Sequence, residues 1–232
     1  FIHAQIESWL NIMVRLFPEV VSVKHYGRSY ENRTLTYAKI GLGNWNKPII
    51  FIESGVHARE WGSVTSALHI IKKLLIGYRK NEERLVHLLR RFDFYVIPVC
   101  NPDGYDYTFG PDFLHRVWRK TRSKTTAENC VGVDMNRNFY RAKGDKHGVY
   151  SMNQCMEDYP GKRPASEVET THLIRLLNSI RHRVKGYYSV HTFGQLWFIP
   201  YAYSNNLYPV FEDMVSRLVG WLFRWMVGCL LA

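Results

Sequence analysis

Near the start of the chain Ile6, Trp9, Leu10, Met13, Leu16 and Phe17 recur at helical spacing, and Pro18 follows them. That pattern predicts an amphipathic helix. Thr34 to Ile40 reads as a short strand. Pro48 then introduces Ile49-Ile50-Phe51-Ile52, a continuous apolar run suited to a buried strand. Trp61, Val64, Leu68, Ile71, Leu75 and Tyr78 return to a period of about 3.6, so a helix follows directly. Phe92 to Val99 predicts a second buried strand, closed by Asn101-Pro102-Asp103-Gly104. From about Asp106 to Arg163 the chain is Gly/Asn/Lys-rich and has too little pattern for regular elements. This predicts a long loop region, and loops of that length often carry function. Ser166-Glu167-Val168-Glu169 has capping-box form and predicts a helix to about Ile180. Gly186 to Val190 predicts a third strand ending at His191, and Trp197 to Pro200 a fourth.

Strands alternating with helices imply an α/β sandwich. In such sheets, sites gather just past the carboxyl ends of strands. His57, Asn101 and His191 each fall at or just past such an end.

Composition narrows the classes. The 232 residues are 46% hydrophobic and 15% aromatic, enough for a sizeable core, and no repeat or compositional break divides them. One domain is expected over 1–232, with a divergent apolar tail from 215. The net charge is +11, with the basic residues scattered except for a denser run from His115 to Lys124. No nucleic-acid module is visible, so a solvated basic surface is the simpler reading of that charge. None of Cys100, Cys130, Cys155 and Cys229 forms a CxxC pair, which argues against a thiolate zinc site. Cys130 and Cys155 lie in loop-like surroundings that a disulfide would close. Asn32-Arg33-Thr34 is a glycosylation sequon. Together these lean towards a secreted protein. No signal peptide is present, so the chain is expected to be a processed or trimmed form.

Three segments carry candidate chemistry. In SGVHAREWGSV, His57 and Glu60 are three positions apart at a strand-to-helix turn, so both can face one point. Imidazole nitrogen and carboxylate oxygen are good zinc ligands, and His191 can supply a third from a neighbouring strand end. The alternative has Glu60 favouring the positive helix start and His57 making a turn hydrogen bond. In CVGVDMNRNF, Asn136 and Arg137 suit a free carboxylate, which an Arg fork grips bidentately; structural loop contacts are the alternative. In RVWRKTRS, Arg119 follows an anchoring Trp118 and can stabilise an oxyanion; the alternative is a surface basic run.

Taken together, GVHAREW, NPDGYDYT, RVWRKTRS, CVGVDMNRNF and SVHTFGQLWFIPYAY resemble the zinc metallocarboxypeptidases of the pancreatic carboxypeptidase A/B type, in the family's order and over roughly residues 4 to 210. The resemblance implies a mixed, mostly parallel twisted sheet with helices on both faces. It implies one zinc ion held by His57, Glu60 and His191, the His₂Glu set of carboxypeptidase A. It gives Arg119 to the oxyanion, Asn136 and Arg137 to the substrate's terminal carboxylate, and Arg59 to the peptide groove. Thr192 and Phe193 stand where the family has Ser or Thr and then Tyr, so Phe193 packs against substrate without donating a hydrogen bond. It pairs Cys130 with Cys155. The implied reaction is hydrolysis of the last peptide bond of a peptide or protein, by a secreted monomer that uses neither nucleic acid nor membrane.

The resemblance stops after about Met214. The family places a Glu base near the end of the domain, with a mobile Tyr before it, whereas SRLVGWLFRWMVGCLLA contains neither. The chain is therefore expected to lack the C-terminal part and to have impaired activity. The tail is expected to be an artefact of a truncated gene model, a helix patching the open core, or a membrane-interface segment. At 15 residues, Leu218 to Ala232 is short for a span of about 20. Two alternatives to the enzyme remain: an inactive relative that binds zinc and peptide C-termini, and a basic polyanion-binding protein.

Overall fold

The structure, a computed structural model, describes residues 1–43, 46–139, 150–199, 212–214 and 216. The chain falls into two units by contact: Phe1–Gly144 with Tyr150–Phe193, and Asp145–Val149 with Gly194–Ala232. In the second unit the described residues 194–199 form no regular element, and 212–214 and 216 are helical. The strand predicted from Trp197 to Pro200 is therefore absent at 197–199, and Pro200 lies outside the described residues. So does the predicted apolar tail, Ser216 apart.

The first unit contains α1 (His3–Leu16), β1 (Val21–Arg28), β2 (Thr34–Ile40), β3 (Ile49–Ser54), α2 (Trp61–Arg79), α3 (Glu83–Arg91), β4 (Asp93–Ile97), α4 (Pro102–Tyr107), α5 (Phe113–Arg116), α6 (Val168–Ile180) and β5 (Val184–Val190). The strands form one mixed sheet in the order β1-β2-β4-β3-β5. β1 with β2 and β2 with β4 pair antiparallel, while β3 lies parallel to both β4 and β5.

The apolar run at Ile49–Ile52 is continuous because β3 is covered on both faces. Ile50 and Ile52 point to a core with Ile6 and Leu10 of α1, Val64, Ala67, Ile71 and Leu75 of α2, and Leu89 of α3. Ile49 and Phe51 point to a second core with Leu173 of α6, Tyr95, Ile97 and Met135. Strand residues alternate between faces, so neither face can be polar. Fully burying a side chain such as Phe51 contributes about 2 kcal/mol.

Four elements escaped the sequence pattern, among them α5, a short helix inside the stretch read as loop. β1 mixes Val21 and Val23 with Lys24 and His25, and its register slips between His25 and Gly27. α3 buries only Val86 and Leu89, and its other positions are largely charged. α4 starts at the Asn-Pro that closes the predicted strand: the Asn101 side chain accepts from the N–H of Gly104 at 3.0 Å, and Pro102 opens the helix. One predicted detail is corrected. α6 forms without a capping box, because Glu167 rather than Ser166 takes the cap position and both residues of the predicted box are engaged elsewhere: Ser166 donates to Oε1 of Glu167 at 2.9 Å, and Glu169 accepts from the N–H of Tyr30 at 2.8 Å.

Candidate metal centre

β3 and β5 run parallel with Ser54 opposite Val190, so the residues that follow them emerge side by side. After β3 the backbone turns at Gly55, whose φ of 62° favours glycine; a Cβ there would lie 3.0 Å from Val64 and from the backbone of Val99. The turn delivers His57 and then Glu60, which precedes α2. Asn101 fastens it by donating to the carbonyls of Val56 at 3.3 Å and Lys120 at 3.0 Å. Asn101 is thus a fastener of the site rather than a chemical group within it.

The three residues converge. Nδ1 of His57 lies 2.7 Å from Oε1 of Glu60, and Nδ1 of His191 lies 2.9 Å from Oε2. One ligand atom from each falls within 4.8 Å of the others. His57 and Glu60 are buried, whereas His191 is partly open. Both outer nitrogens are occupied. Nε2 of His57 meets Oδ1 of Asp134 at 3.1 Å, and Nε2 of His191 meets Oγ of Ser189 at 3.1 Å. With each imidazole held from behind and its Nδ1 aimed at one carboxylate, the donor set fits a divalent cation with nitrogen and oxygen preference.

Burial opposes charge on these groups, and their contacts overcome it. Burial would raise the Glu60 carboxyl, yet hydrogen bonds from His191 and His57 bring it down to about 2. Asp134 behaves alike: His57 and the Arg119 charge hold it at about 2 against burial. Burial would lower His57, but its bonds to Asp134 and Glu60 leave its pKa above the ordinary value. The site therefore favours negative charge on both carboxylates, with His57 bridging them and its protonated form favoured.

Residues 6–219 match the family model described as Zinc carboxypeptidase. The chain belongs to the zinc carboxypeptidase family. It is 37% identical over 211 residues to carboxypeptidase B of Astacus astacus, covering 90% of this chain and 67% of that protein. It is 36% identical over 215 residues to carboxypeptidase B of Rattus norvegicus, covering 93% of this chain and 50% of that one. Among solved structures it is similar to bovine thrombin-activatable fibrinolysis inhibitor in complex with tick carboxypeptidase inhibitor. There the TM-score is 0.79 and the identity 35%, over 92% of this chain and 67% of that one. The chain thus spans half to two thirds of the length of these relatives.

In this zinc carboxypeptidase chain two of the other predicted residues, Arg119 and Thr192, contact the carboxylates of the centre. The Arg119 guanidinium donates from Nε and Nη2 to Oδ2 of Asp134 at 3.1 and 2.9 Å. Its carbonyl accepts from the N–H of Ala58 at 3.1 Å, which ties the RVWRKTRS segment to the His57 turn. Trp118 donates to the Lys120 carbonyl within the segment at 2.7 Å and packs edge-on against Tyr107. The segment is not a loose basic run: Lys120 is buried, and Arg122 stacks over Tyr107 and Trp118. Arg59 bonds the Val117 carbonyl and Glu157. Asn136 and Arg137 sit in a short 3₁₀ turn, Asn136 exposed and Arg137 partly so. The backbone N–H of Thr192 donates to Oε2 of Glu60 at 3.1 Å, and Phe193 is fully exposed. Cys130 and Cys155 form a disulfide, and Cys100 is a buried free thiol.

Asp134 escaped notice in the sequence although it stands inside CVGVDMNRNF. Its polar neighbours masked it, and only an acid isolated between Val133 and Met135, both buried, marks it out. Glu53 and Ser189 were likewise hidden, each inside a run that reads as strand.

Proposed function

We propose that this chain is the zinc-binding part of a metallocarboxypeptidase that removes the C-terminal residue of peptides and proteins. The observation that carries the reading is the convergence of His57, Glu60 and His191 beside the Asp134–Arg119 ion pair. One zinc ion would be held by those three side chains. When bound, it supplies Lewis-acid polarisation of the scissile carbonyl and activates water.

The rest is the work of this chain's residues. Arg119 spends Nε and Nη2 on Asp134, so Nη1 remains to meet negative charge developing on the carbonyl oxygen. Asn136 and Arg137 would receive the free carboxylate, the Arg fork supplying paired N–H bonds. Arg59, Thr192 and Phe193 would line the approach, Phe193 by apolar contact alone. The disulfide supports an extracellular setting. Among the described residues no helix is long and apolar enough to cross a membrane.

The test is release of the terminal residue from peptides with a free C-terminus, with and without a chelator. Chelator-sensitive release that spares C-terminally amidated peptides is expected. Zinc-dependent binding of such peptides without release would overturn the hydrolytic reading.

A further inference from the structure

The outer nitrogen of His191 leads to a carboxylate, as that of His57 does, but through a hydroxyl. Glu53 of β3 and Ser189 of β5 are direct partners in the parallel ladder. The Ser189 hydroxyl donates to Oε1 of Glu53 at 2.7 Å and meets Nε2 of His191 at 3.1 Å. Ser189 and His191 are two positions apart, so both project to the side on which Glu53 lies. We propose that Glu53 and Ser189 form a relay that orients His191 for metal binding, with Glu53 and Ser189 as positioning residues; this rests on the metal centre proposed above.

The direction of the relay follows from which groups can donate. Glu53 is buried, and its second oxygen accepts from the Cys100 thiol at 3.3 Å. Burial pushes that thiol well above its ordinary pKa, so Cys100 keeps its proton and serves only as a donor to Glu53. A carboxylate accepts only. The Ser189 proton therefore goes to Glu53, which leaves the Ser189 oxygen as acceptor for the N–H at Nε2 of His191. With Nε2–H committed in this way, a cation that takes the place of the Nδ1 proton now bonded to Glu60 meets the ring's lone pair on Nδ1. On the other side Asp134 does the same to His57 in one step. The two imidazoles are thus set by two different devices, a direct carboxylate and a Ser-bridged one. Such outer partners are commonly worth about 10- to 100-fold in metal affinity.

The experiment measures zinc retention of the full chain against a competing chelator, for the unaltered protein and for Ser189→Ala, Glu53→Gln and the double variant. Ser189 is exposed, so Ser189→Ala removes one oxygen without opening the core. Each single change is expected to loosen zinc by about 10-fold or more. The double variant is expected to be no worse than the weaker single one, because the two residues act as one unit. Ser189→Thr, which keeps the hydroxyl, is expected to restore retention. Unchanged retention in Ser189→Ala overturns the relay, as do fully additive losses. If Glu53→Gln does not fold, Ser189→Ala and its Thr rescue decide alone. Failure of the unaltered chain to hold zinc would instead overturn the metal centre itself, a result distinct from loss of the relay.

Discussion

Asp134, fully buried, and Arg119, partly buried, form an ion pair in which Oδ2 takes two guanidinium hydrogen bonds at 3.1 and 2.9 Å. The same carboxylate accepts on Oδ1 from Nε2 of His57 at 3.1 Å and from the backbone N–H of Asn136 at 2.9 Å. One side chain therefore sets a candidate metal ligand, the candidate oxyanion group and the turn that carries Asn136 and Arg137. Its own backbone is pinned by the Tyr159 carbonyl at 2.8 Å. The residue chosen for none of these roles from sequence is the one that aligns them all.

Asp134→Asn keeps the shape and removes the charge. Zinc affinity is expected to fall by about 10- to 100-fold, read by chelator competition. Arg119 loses its anchor in the same variant, so any peptidase activity should fall further than zinc occupancy does. Activity that simply tracks occupancy would contradict the shared role of Asp134.

Zinc binding should raise thermal stability, since the ligands converge only in the folded chain. At free zinc about 1,000 times its dissociation constant the gain is about 4 kcal/mol. Calorimetry should show a higher melting temperature with zinc and a return to the starting value with chelator. Glu60→Ala should melt at one temperature in both conditions.

Glu169 is fully buried; the N–H of Tyr30 reaches its Oε1 at 2.8 Å, and its Oε2 has no hydrogen-bond partner among the described residues. Burial raises its carboxyl from 4.5 to about 7. In the unfolded chain the group ionises first, so the folded state holds the extra proton between those values. Its contribution to stability therefore falls as pH rises from 4.5 to about 7 and is flat above. Glu169→Gln removes that loss. Urea unfolding at pH 5 and pH 8 should show the variant gaining on the unaltered protein by about 3 kcal/mol over that window. Equal pH dependence of the two proteins would contradict this.

Gly132 has a φ of 79°, and a Cβ there would sit 2.0 Å from the Thr121 carbonyl oxygen. Gly132→Ala should destabilise by more than about 1 kcal/mol. The same shift should displace Asp134, two residues on, and loosen zinc. A variant as stable as the parent in denaturant titration would refute the close approach.

The Cys130–Cys155 bridge spans a separation of 25 residues. Replacing both cysteines with Ser should cost about 3 kcal/mol through the loop-closure entropy regained by the unfolded chain. The loss should be measurable by equilibrium unfolding under non-reducing conditions.

The sequence by itself determined the α/β class, the helices α1, α2 and α6, the strands β2, β3, β4 and β5, and the three candidate ligands. The elements rest on apolar spacing, a local signal, whereas the ligand set rests on the resemblance carried by GVHAREW and SVHTFGQLWFIPYAY, since the spacing of His57 and Glu60 alone left an alternative open. β1, α3 and α4 were less legible, because their inward positions are few and their polar positions many. Only the tertiary structure decided which outer groups hold the ligands. The partners of His57 and His191 are Asp134, 77 residues from its imidazole, and Glu53, 136 residues from its Ser189 link. A hydrogen bond needs atoms about 3 Å apart. No periodicity along the chain reports which distant residues the folding of a mixed sheet will bring that close.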